Sequence, residues 1–142
     1  MAALITTSSQ ATLQDRTGGW WISTPRGLFR FPRAPASRLL ANGNFDLWLL
    51  PSLQCRRLLE DRAGNIWVET KQANVSGLAK WDAGRRRVID LSTLLPQRAR
   101  AGSISALADD GRSLWLGLGR PGGLLRLRGE TKKRFPIFRR VR

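Results

Sequence analysis

Hydrophobic and polar residues alternate along much of the chain, and the remaining hydrophobic residues come in short runs. In the stretch EDRAGNIWVET, residues 60–70, an aspartate, a glycine and an asparagine precede a tryptophan set among β-branched residues. Asp61 can bond its own backbone two residues on, and Gly64 can adopt a positive φ without steric cost. This order predicts a tight turn that leads into a buried strand. No stretch has a helical period long enough to compete.

The same layout occurs three times. TLQDRTGGWWIST from Thr12, LLEDRAGNIWVET from Leu58 and ALADDGRSLWLGL from Ala106 each run through an acidic residue and a turn glycine to a tryptophan. A glycine–leucine segment follows each tryptophan, as GLFRF, GLAKW and GLLRL. The repeated positions are Asp15, Gly18, Trp21, Gly27 and Leu28, then Asp61, Gly64, Trp67, Gly77 and Leu78, then Asp110 (or Asp109), Gly111, Trp115, Gly123 and Leu124.

Each copy has room for about four short strands, and the candidates for the fourth are residues 45–50, 87–91 and 135–138. A period of about 47 residues with four strands and a positioned tryptophan is typical of a β-propeller blade. We therefore predict an all-β chain, a single partial β-propeller over residues 1–142 with about three four-stranded antiparallel blades. The approximate repeats are residues 10–50, 51–96 and 97–142.

Stacked blades bury the faces between them, which explains the tryptophans. Trp21, Trp67 and Trp115 are predicted to be core residues because they occupy equivalent positions. For Trp20, Trp48 and Trp81 a core position is favoured over a ligand-stacking platform. A further set, Arg30, Lys80 and Arg126, recurs in the second strand, where long aliphatic stems cover apolar surface.

The composition offers little catalytic equipment. The chain has no histidine and one cysteine, Cys55, which is interpreted as a packing or surface residue. Each aspartate turn supplies one or two oxygens, too few for a calcium loop, so no metal site is predicted. Gly117, Gly119 and Gly122 have dinucleotide-motif spacing, but a strand pattern follows where that motif needs a helix. We predict no catalytic, cofactor or metal site.

The net charge of +15 requires that a polyanion partner be considered. The basic residues are spread along the chain, which is weaker evidence than a single stripe. The exception is the run 132–142, where Phe135 and Phe138 are interleaved with basic residues. It can be a nucleic-acid or membrane-surface patch, or the last strand of the third blade.

The second copy, with Asp61, Gly64, Asn65, Trp67 and Gly77–Leu78, resembles the two-component regulator propeller repeat, and the resemblance covers nearly the whole chain. Proteins of that family are the extracytoplasmic sensor half of bacterial hybrid histidine kinases and related regulators. The resemblance implies a non-enzymatic module that senses a ligand, often a saccharide, with further blades and a histidine kinase or similar output domain as partners. It assigns no ligand-binding residue here. The alternative is a basic scaffold for nucleic acid or another anionic partner; a propeller lyase or hydrolase is disfavoured because histidine and dense carboxylates are lacking.

Closed propellers use about 4 to 8 blades, so three blades are expected to be a fragment of a larger ring or the product of a truncated gene. No apolar run approaches the ~18 residues of a membrane span, and residues 1–10 do not resemble a signal peptide. The expected location is periplasmic or extracytoplasmic within a full-length sensor, and cytoplasmic for the chain as it stands.

Overall fold

The protein is represented by a computed structural model that describes residues 11–34, 38, 44–119, 122–128 and 131–135, the last five by their backbone. Within these residues the chain forms three four-stranded antiparallel sheets, in each of which the spatial order of the strands is their order along the chain. Strands that follow one another along the chain are hydrogen-bonded neighbours, so each sheet is a meander. The prediction of an all-β partial β-propeller with four-stranded antiparallel blades is confirmed.

We call the three sheets blades 1, 2 and 3. Blade 1 contains β1 (Thr12–Gln14), β2 (Trp20–Thr24), β3 (Gly27–Phe31) and β4 (Leu47–Leu49). Blade 2 contains β5 (Gln54–Glu60), β6 (Ile66–Gln72), β7 (Val75–Asp82) and β8 (Arg87–Asp90). Blade 3 contains β9 (Ile104–Asp109), β10 (Leu114–Leu118), β11 (Leu124–Arg128) and β12 (Thr131–Phe135).

Two details of local structure differ from the sequence predictions. The fourth strand of blade 3 is Thr131–Phe135, not 135–138, because Thr131 already pairs with Arg128. Residues 136–138 lie outside the described residues. The link between blades 2 and 3 holds a 3-10 turn at Ser92–Leu94 and a short helix, α1, at Gln97–Ala101. Elements this short have too few turns to show a helical period in the sequence.

Two hydrophobic clusters join the blades. In the first, Trp21 and Leu28 of blade 1 pack against the blade 2 residues Cys55, Ile66, Val68, Ala79 and Trp81. In the second, Trp67 and Leu78 of blade 2 pack against the blade 3 residues Ile104, Leu114, Leu116, Leu125 and Leu127, and α1 and its preceding link add Leu91, Leu95 and Ala99. The core therefore lies between the sheets, as expected for blades that cannot bury their own apolar faces.

The exposure of the tryptophans follows from this stacking. Trp21 is 1% and Trp67 7% exposed, but Trp115 is only half-buried, because no described sheet packs against its face of blade 3. Its expected place in the core is therefore wrong. Trp81 is buried, whereas Trp20 and Trp48 are 36% and 48% exposed, so the core prediction fails for both. Trp20 lies on the face of blade 1 away from blade 2, and Trp48 is on the short strand β4.

A buried carboxylate lies where blades 2 and 3 meet. Glu69, on β6, is 1% exposed, and its Oε1 accepts a hydrogen bond from the Ile104 backbone N–H of blade 3 at 3.3 Å. The Arg57 Nε is 3.3 Å from Glu69 Oε2 but donates its hydrogen bond to the Ile104 carbonyl, so Oε2 is left without a hydrogen bond. Burial raises the pKa of Glu69. The positive charges of Arg57, Arg56 and Lys71 oppose this increase only in part.

This raised pKa makes a prediction about the pH dependence of stability. Well below pH 4 the Glu69 carboxyl is protonated in both the folded and the unfolded chain. As the pH rises, this carboxyl ionises first in the unfolded chain, where its pKa is lower. The free energy of unfolding therefore falls until the pH has passed the pKa of Glu69 in the folded chain. Glu69→Gln should remove this loss, so its stability relative to the wild type should increase from pH 4 to pH 8. Urea unfolding across that range measures the difference. Glu60→Gln is the control, and the same trend in that variant would contradict the prediction.

Candidate functional site

The three repeated turns share a tryptophan-to-aspartate hydrogen bond and a turn glycine, and the third turn is one residue shorter than the other two. The indole Nε1 of Trp21, Trp67 and Trp115 donates a hydrogen bond to Oδ2 of Asp15, Asp61 and Asp110, at 2.8, 2.9 and 2.8 Å. The turn glycines Gly18, Gly64 and Gly111 have φ of +87°, +84° and +87°, which glycine adopts without strain. In the third copy either Asp109 or Asp110 could be the repeated aspartate, and it is Asp110 that accepts the hydrogen bond from the Trp115 indole. These carboxylates are occupied by their own turns.

The surroundings of two turn carboxylates, Asp15 and Asp110, lower their pKa values. Burial alone would raise the pKa of Asp15, but hydrogen bonds from Arg30, Thr17, Trp21 and Gly19 hold it well below its usual range. The bond from the Trp115 indole, with the Arg112 and Ser113 backbone amides, lowers the pKa of Asp110 to about 2. Both groups are therefore ionised at neutral pH, so neither suits a general acid.

The basic residues of the second repeated segment lie over the tryptophans. Arg30, Lys80 and Arg126 are the cross-strand partners of Trp21, Trp67 and Trp115. Their charged groups are 5.9, 5.3 and 5.6 Å from the indole centroids, within range of a cation–π contact. These three positive charges therefore take part in packing each blade, and they do not form one basic surface.

The glycine–leucine pairs are less uniform. Gly27 and Gly123 have φ of +125° and +137°, whereas a side chain at Gly77 is excluded because its Cβ would lie 2.5 Å from the Thr70 Oγ1. Leu28 and Leu78 are fully buried, but Leu124 is half-buried, on the same open side of blade 3 as Trp115.

A set of contacts between neighbouring turns was missed by the sequence analysis. The Arg16 backbone N–H donates to Glu60 Oε2 at 2.9 Å, and its Nε lies 2.7 Å from Glu60 Oε1. One blade further on, the Arg62 backbone N–H donates to Asp109 Oδ2, also at 2.9 Å. The signal was present, since Glu60 and Asp109 each precede the turn aspartate, and Arg16 and Arg62 each follow one.

These turn contacts border two grooves, of 290 Å³ between blades 1 and 2 and 190 Å³ between blades 2 and 3. Both are lined by the turn aspartate, its tryptophan and the basic residue over the ring. The carboxylates that line them, those of Asp15 and Glu60 in the first groove and of Asp61 and Asp109 in the second, already accept hydrogen bonds, so we assign the grooves to the packing between blades.

A larger cleft, of 520 Å³, lies at the opposite end of blade 2. One wall is the loop between β4 and β5, with Leu50 and Leu53, and another is the β6–β7 hairpin turn, residues 72–75. The end of β8, the 3-10 turn and the helix α1 contribute Asp90, Ser92 and Arg100, respectively. We call this space the blade 2 cleft.

Several polar side chains of the blade 2 cleft lack a hydrogen-bond partner among the described residues. Thr70, Gln72 and Arg100 make no side-chain hydrogen bond there, and the Arg100 Nε is buried. The carboxylate of Asp90 accepts a bond from the Ser92 N–H through Oδ1 alone. Since buried polar groups in folded proteins are almost always bonded, the Arg100 Nε calls for a partner, and the exposed Gln72 and Asp90 beside it in the cleft lining are accessible to a ligand.

Backbone strain is also concentrated in the two loops of the cleft. Leu50 and Ser52 have φ of +51° and +63°, and Ala73 and Asn74 have φ of +47° and +64°. Outside these loops Arg86 is the one other non-glycine residue with positive φ in the part of the chain that the structure describes. Strained residues of this kind occur often at ligand-binding sites. The blade 2 cleft is therefore the candidate functional site.

The other candidate residues from the sequence do not form a reactive or cofactor-binding site among the described residues. Cys55 is fully buried, and burial raises its pKa to about 12, so the thiol is a poor nucleophile. Within the described ranges there is no group of three or more metal-ligating side chains, and no helix is long and apolar enough to cross a bilayer. The glycines 117, 119 and 122 are followed by β11, not a helix. The side chains of the basic run 132–142 lie outside the described part.

Comparisons with known proteins identify the fold and not a close relative. No family model matches the chain, and no curated protein matches it. Two crystal structures of the extracellular domain of BT4673, a one-component or hybrid two-component system of B. thetaiotaomicron, are similar, with TM-scores of 0.67 and 0.69 at 21% identity. They match 94% and 93% of this chain, which covers 18% of each of theirs.

The extracellular domain of the hybrid two-component system BT3049 of the same organism is also similar, with a TM-score of 0.59 and 19% identity over 88% of this chain and 16% of that one. The chain thus spans less than a fifth of the length of these structures. At this identity the likeness shows a common fold. The chain is a β-propeller segment with the fold of part of the extracellular domains of such signalling systems.

Proposed function

We propose that the chain is part of a non-enzymatic, ligand-sensing propeller of a two-component regulator, a member of the regulator propeller repeat family. The observation that carries the proposal is the combination of a fold shared with the extracellular domains of BT4673 and BT3049 and a cleft in which the side chains of Thr70, Gln72 and Arg100 make no hydrogen bond among the described residues. In this role the propeller lies outside the cytoplasm and passes the state of its cleft to a linked histidine kinase or similar output domain.

The open side of blade 3 supports the further blades that this proposal requires. Blade 2 packs on Trp21 and Leu28 of blade 1 and buries them. Blade 3 buries Trp67 and Leu78 of blade 2 in the same way. Their equivalents Trp115 and Leu124 are half-buried. A further blade of the same repeat, with apolar residues at the positions of Leu114 and Leu116, would bury both residues and continue the stack.

The chemistry of the cleft favours binding over catalysis. Thr70, Gln72 and Ser92 are neutral hydrogen-bonding groups, and none of them lies beside a histidine, which the chain lacks. Hydroxyl and amide groups at the mouth of a cleft of this size can bind the hydroxyls of a small polar molecule such as a saccharide. Fold alone does not assign the ligand.

Ligand binding is tested by a thermal-shift screen of mono- and disaccharides and other small metabolites, followed by calorimetric titration of each hit. We expect a hit to bind the wild type and to bind about tenfold more weakly to Gln72→Ala, which removes one hydrogen-bonding side chain from the cleft. Gln14→Ala, the same change at an exposed position at the other end of a blade, should leave the affinity unchanged.

Two results would contradict the proposal. Equal loss of affinity in Gln72→Ala and Gln14→Ala would place the ligand outside the cleft. Duplex DNA binding that falls steeply with salt, with no small molecule bound, would favour the basic scaffold instead, because counterion release makes phosphate-driven binding depend on salt.

A further inference from the structure

Arg100 is the cation in the blade 2 cleft that the fold leaves unused. It lies near the end of α1, which packs against β7, and its side chain is half-buried in the cleft wall. The Nε is buried and has no hydrogen-bond partner, and the guanidinium has no ion pair within the described residues. Leaving a buried charged donor unpaired is costly, so such a group calls for an explanation.

The carboxylates nearby do not supply the missing partner. Asp90 lines the same cleft, but it is exposed, is not in ion-pair contact with Arg100 and uses Oδ1 for the Ser92 backbone. Glu69 lies at the junction with blade 3 and faces Arg57 and the Ile104 backbone. The positive charge of Arg100 is therefore available to a negative group that enters the cleft.

Neutral groups near Arg100 have the arrangement that a hydroxylated molecule needs. The hydroxyls of Thr70 and Ser92 both lie against Gly77, since a Cβ on Gly77 would be 2.5 Å from one and 2.7 Å from the other. The Thr70 hydroxyl makes no hydrogen bond in the described structure, and the Gln72 amide at the hairpin end is exposed and unbonded. The two loops with positive φ, around Leu50 and Ala73, line the same cleft.

We propose that the blade 2 cleft binds a small hydroxylated molecule that carries an oxyanion, with the oxyanion on Arg100 and the hydroxyls on Thr70 and Gln72. This inference rests on the proposed sensing function and adds the class of ligand. A planar guanidinium binds a carboxylate or sulfate with two parallel hydrogen bonds, which makes arginine selective for such groups. A neutral sugar of the same size leaves the guanidinium unpaired and binds more weakly.

The test is a calorimetric titration of the full chain with glucuronate, galacturonate, glucose and inorganic sulfate. We expect the uronates to bind at least tenfold more tightly than glucose, and sulfate to bind weakly and compete with them. Arg100→Met keeps much of the aliphatic stem and removes the charge, and it should weaken uronate binding about ten- to a hundredfold. Arg100→Lys keeps the charge without the planar fork and should be intermediate.

Arg112→Met is the matched control. It removes the same charge from an exposed arginine at the opposite end of blade 3, so it measures the effect of net charge alone. Melting temperatures of all variants confirm that they fold. If Arg100→Met and Arg112→Met lower the uronate affinity equally, the inference is overturned. An equal loss would show that binding depends on the overall charge of +15 and not on Arg100.

The outcomes also separate this inference from the proposed function. Equal affinity for glucose and the uronates, with no effect of Arg100→Met but a loss in Gln72→Ala, overturns the oxyanion inference and leaves the sensing proposal standing. No binding of any of the four probes in the wild type overturns the inference as well. Binding of sulfate alone, with no uronate bound, identifies a simple anion site and overturns the hydroxylated ligand.

Discussion

Trp67→Ala is expected to lower the free energy of unfolding by about 3–5 kcal/mol, the range for removing a large aromatic side chain from a core. Trp67 is buried between blades 2 and 3, where its loss leaves a cavity lined by residues of both sheets. Urea unfolding followed by circular dichroism measures the difference. The result should be a lower midpoint with little change in the slope.

Trp115→Ala is the matched control. Its indole has the same hydrogen bond to a turn aspartate and the same cation over the ring, but no described sheet covers it. We expect a loss of roughly 1–2 kcal/mol, since part of the side chain is already in contact with water. Equal losses in the two variants would contradict the conclusion that stacking of neighbouring blades buries these tryptophans.

Asp61→Ala is expected to cost about 2–4 kcal/mol, because it removes the acceptor of four hydrogen bonds and leaves the Trp67 indole N–H unpaired in a partly buried site. Oδ1 accepts the backbone N–H groups of Ala63 and Asn65, at 2.9 Å each. Oδ2 accepts the Asn65 side-chain amide at 3.0 Å and the Trp67 indole at 2.9 Å. The turn and the strand that follows it thus share one carboxylate.

Asp61→Asn should be intermediate in stability, since an amide keeps one oxygen for two of the donors and turns an NH₂ group towards the other two. Asp90→Ala is the control, because its exposed carboxylate accepts one backbone bond, and it should cost less than about 1 kcal/mol. The same unfolding experiment measures all three variants. If the Asp61→Ala variant is as stable as the Asp90→Ala variant, the turn carboxylate has no structural role and the prediction is contradicted.

Sequence reasoning located features that depend on local chemistry. A turn with a positive φ needs glycine, and its carboxylate acceptor must be close in sequence, so Gly64 and Asp61 could be recognised from their spacing alone. Alternation of apolar residues indicated the strands for the same reason. The pairing of Trp67 with Lys80 follows once the two strands are adjacent, because cross-strand neighbours share a face.

Features that depend on a neighbouring sheet could not be predicted in this way. Trp115 has the same bond to a turn aspartate and the same cation over its ring as Trp67, but the neighbouring sheet that buries Trp67 has no described counterpart at Trp115. Glu69 occupies a position held by Ser23 in blade 1 and Gly117 in blade 3, so the repeat gave no sign of a buried carboxylate.

The candidate site was also beyond the sequence, since its parts come from distant segments. Arg100 lies on a five-residue helix without a visible period, and it lines the same cleft as Thr70 and Gln72 because the link between blades 2 and 3 packs back on blade 2. The strained conformations of Leu50 and Ala73 are likewise imposed by the surrounding fold, since neither residue type prefers a positive φ.

An experimental structure of the chain tests the central claim most directly, that three segments of sequence are equivalent blades stacked side by side. The account predicts an indole-to-carboxylate hydrogen bond of about 2.8–3.0 Å at Trp21, Trp67 and Trp115, with the first two rings enclosed between sheets. Helices in these segments, or tryptophans that bond to unrelated groups, would contradict it.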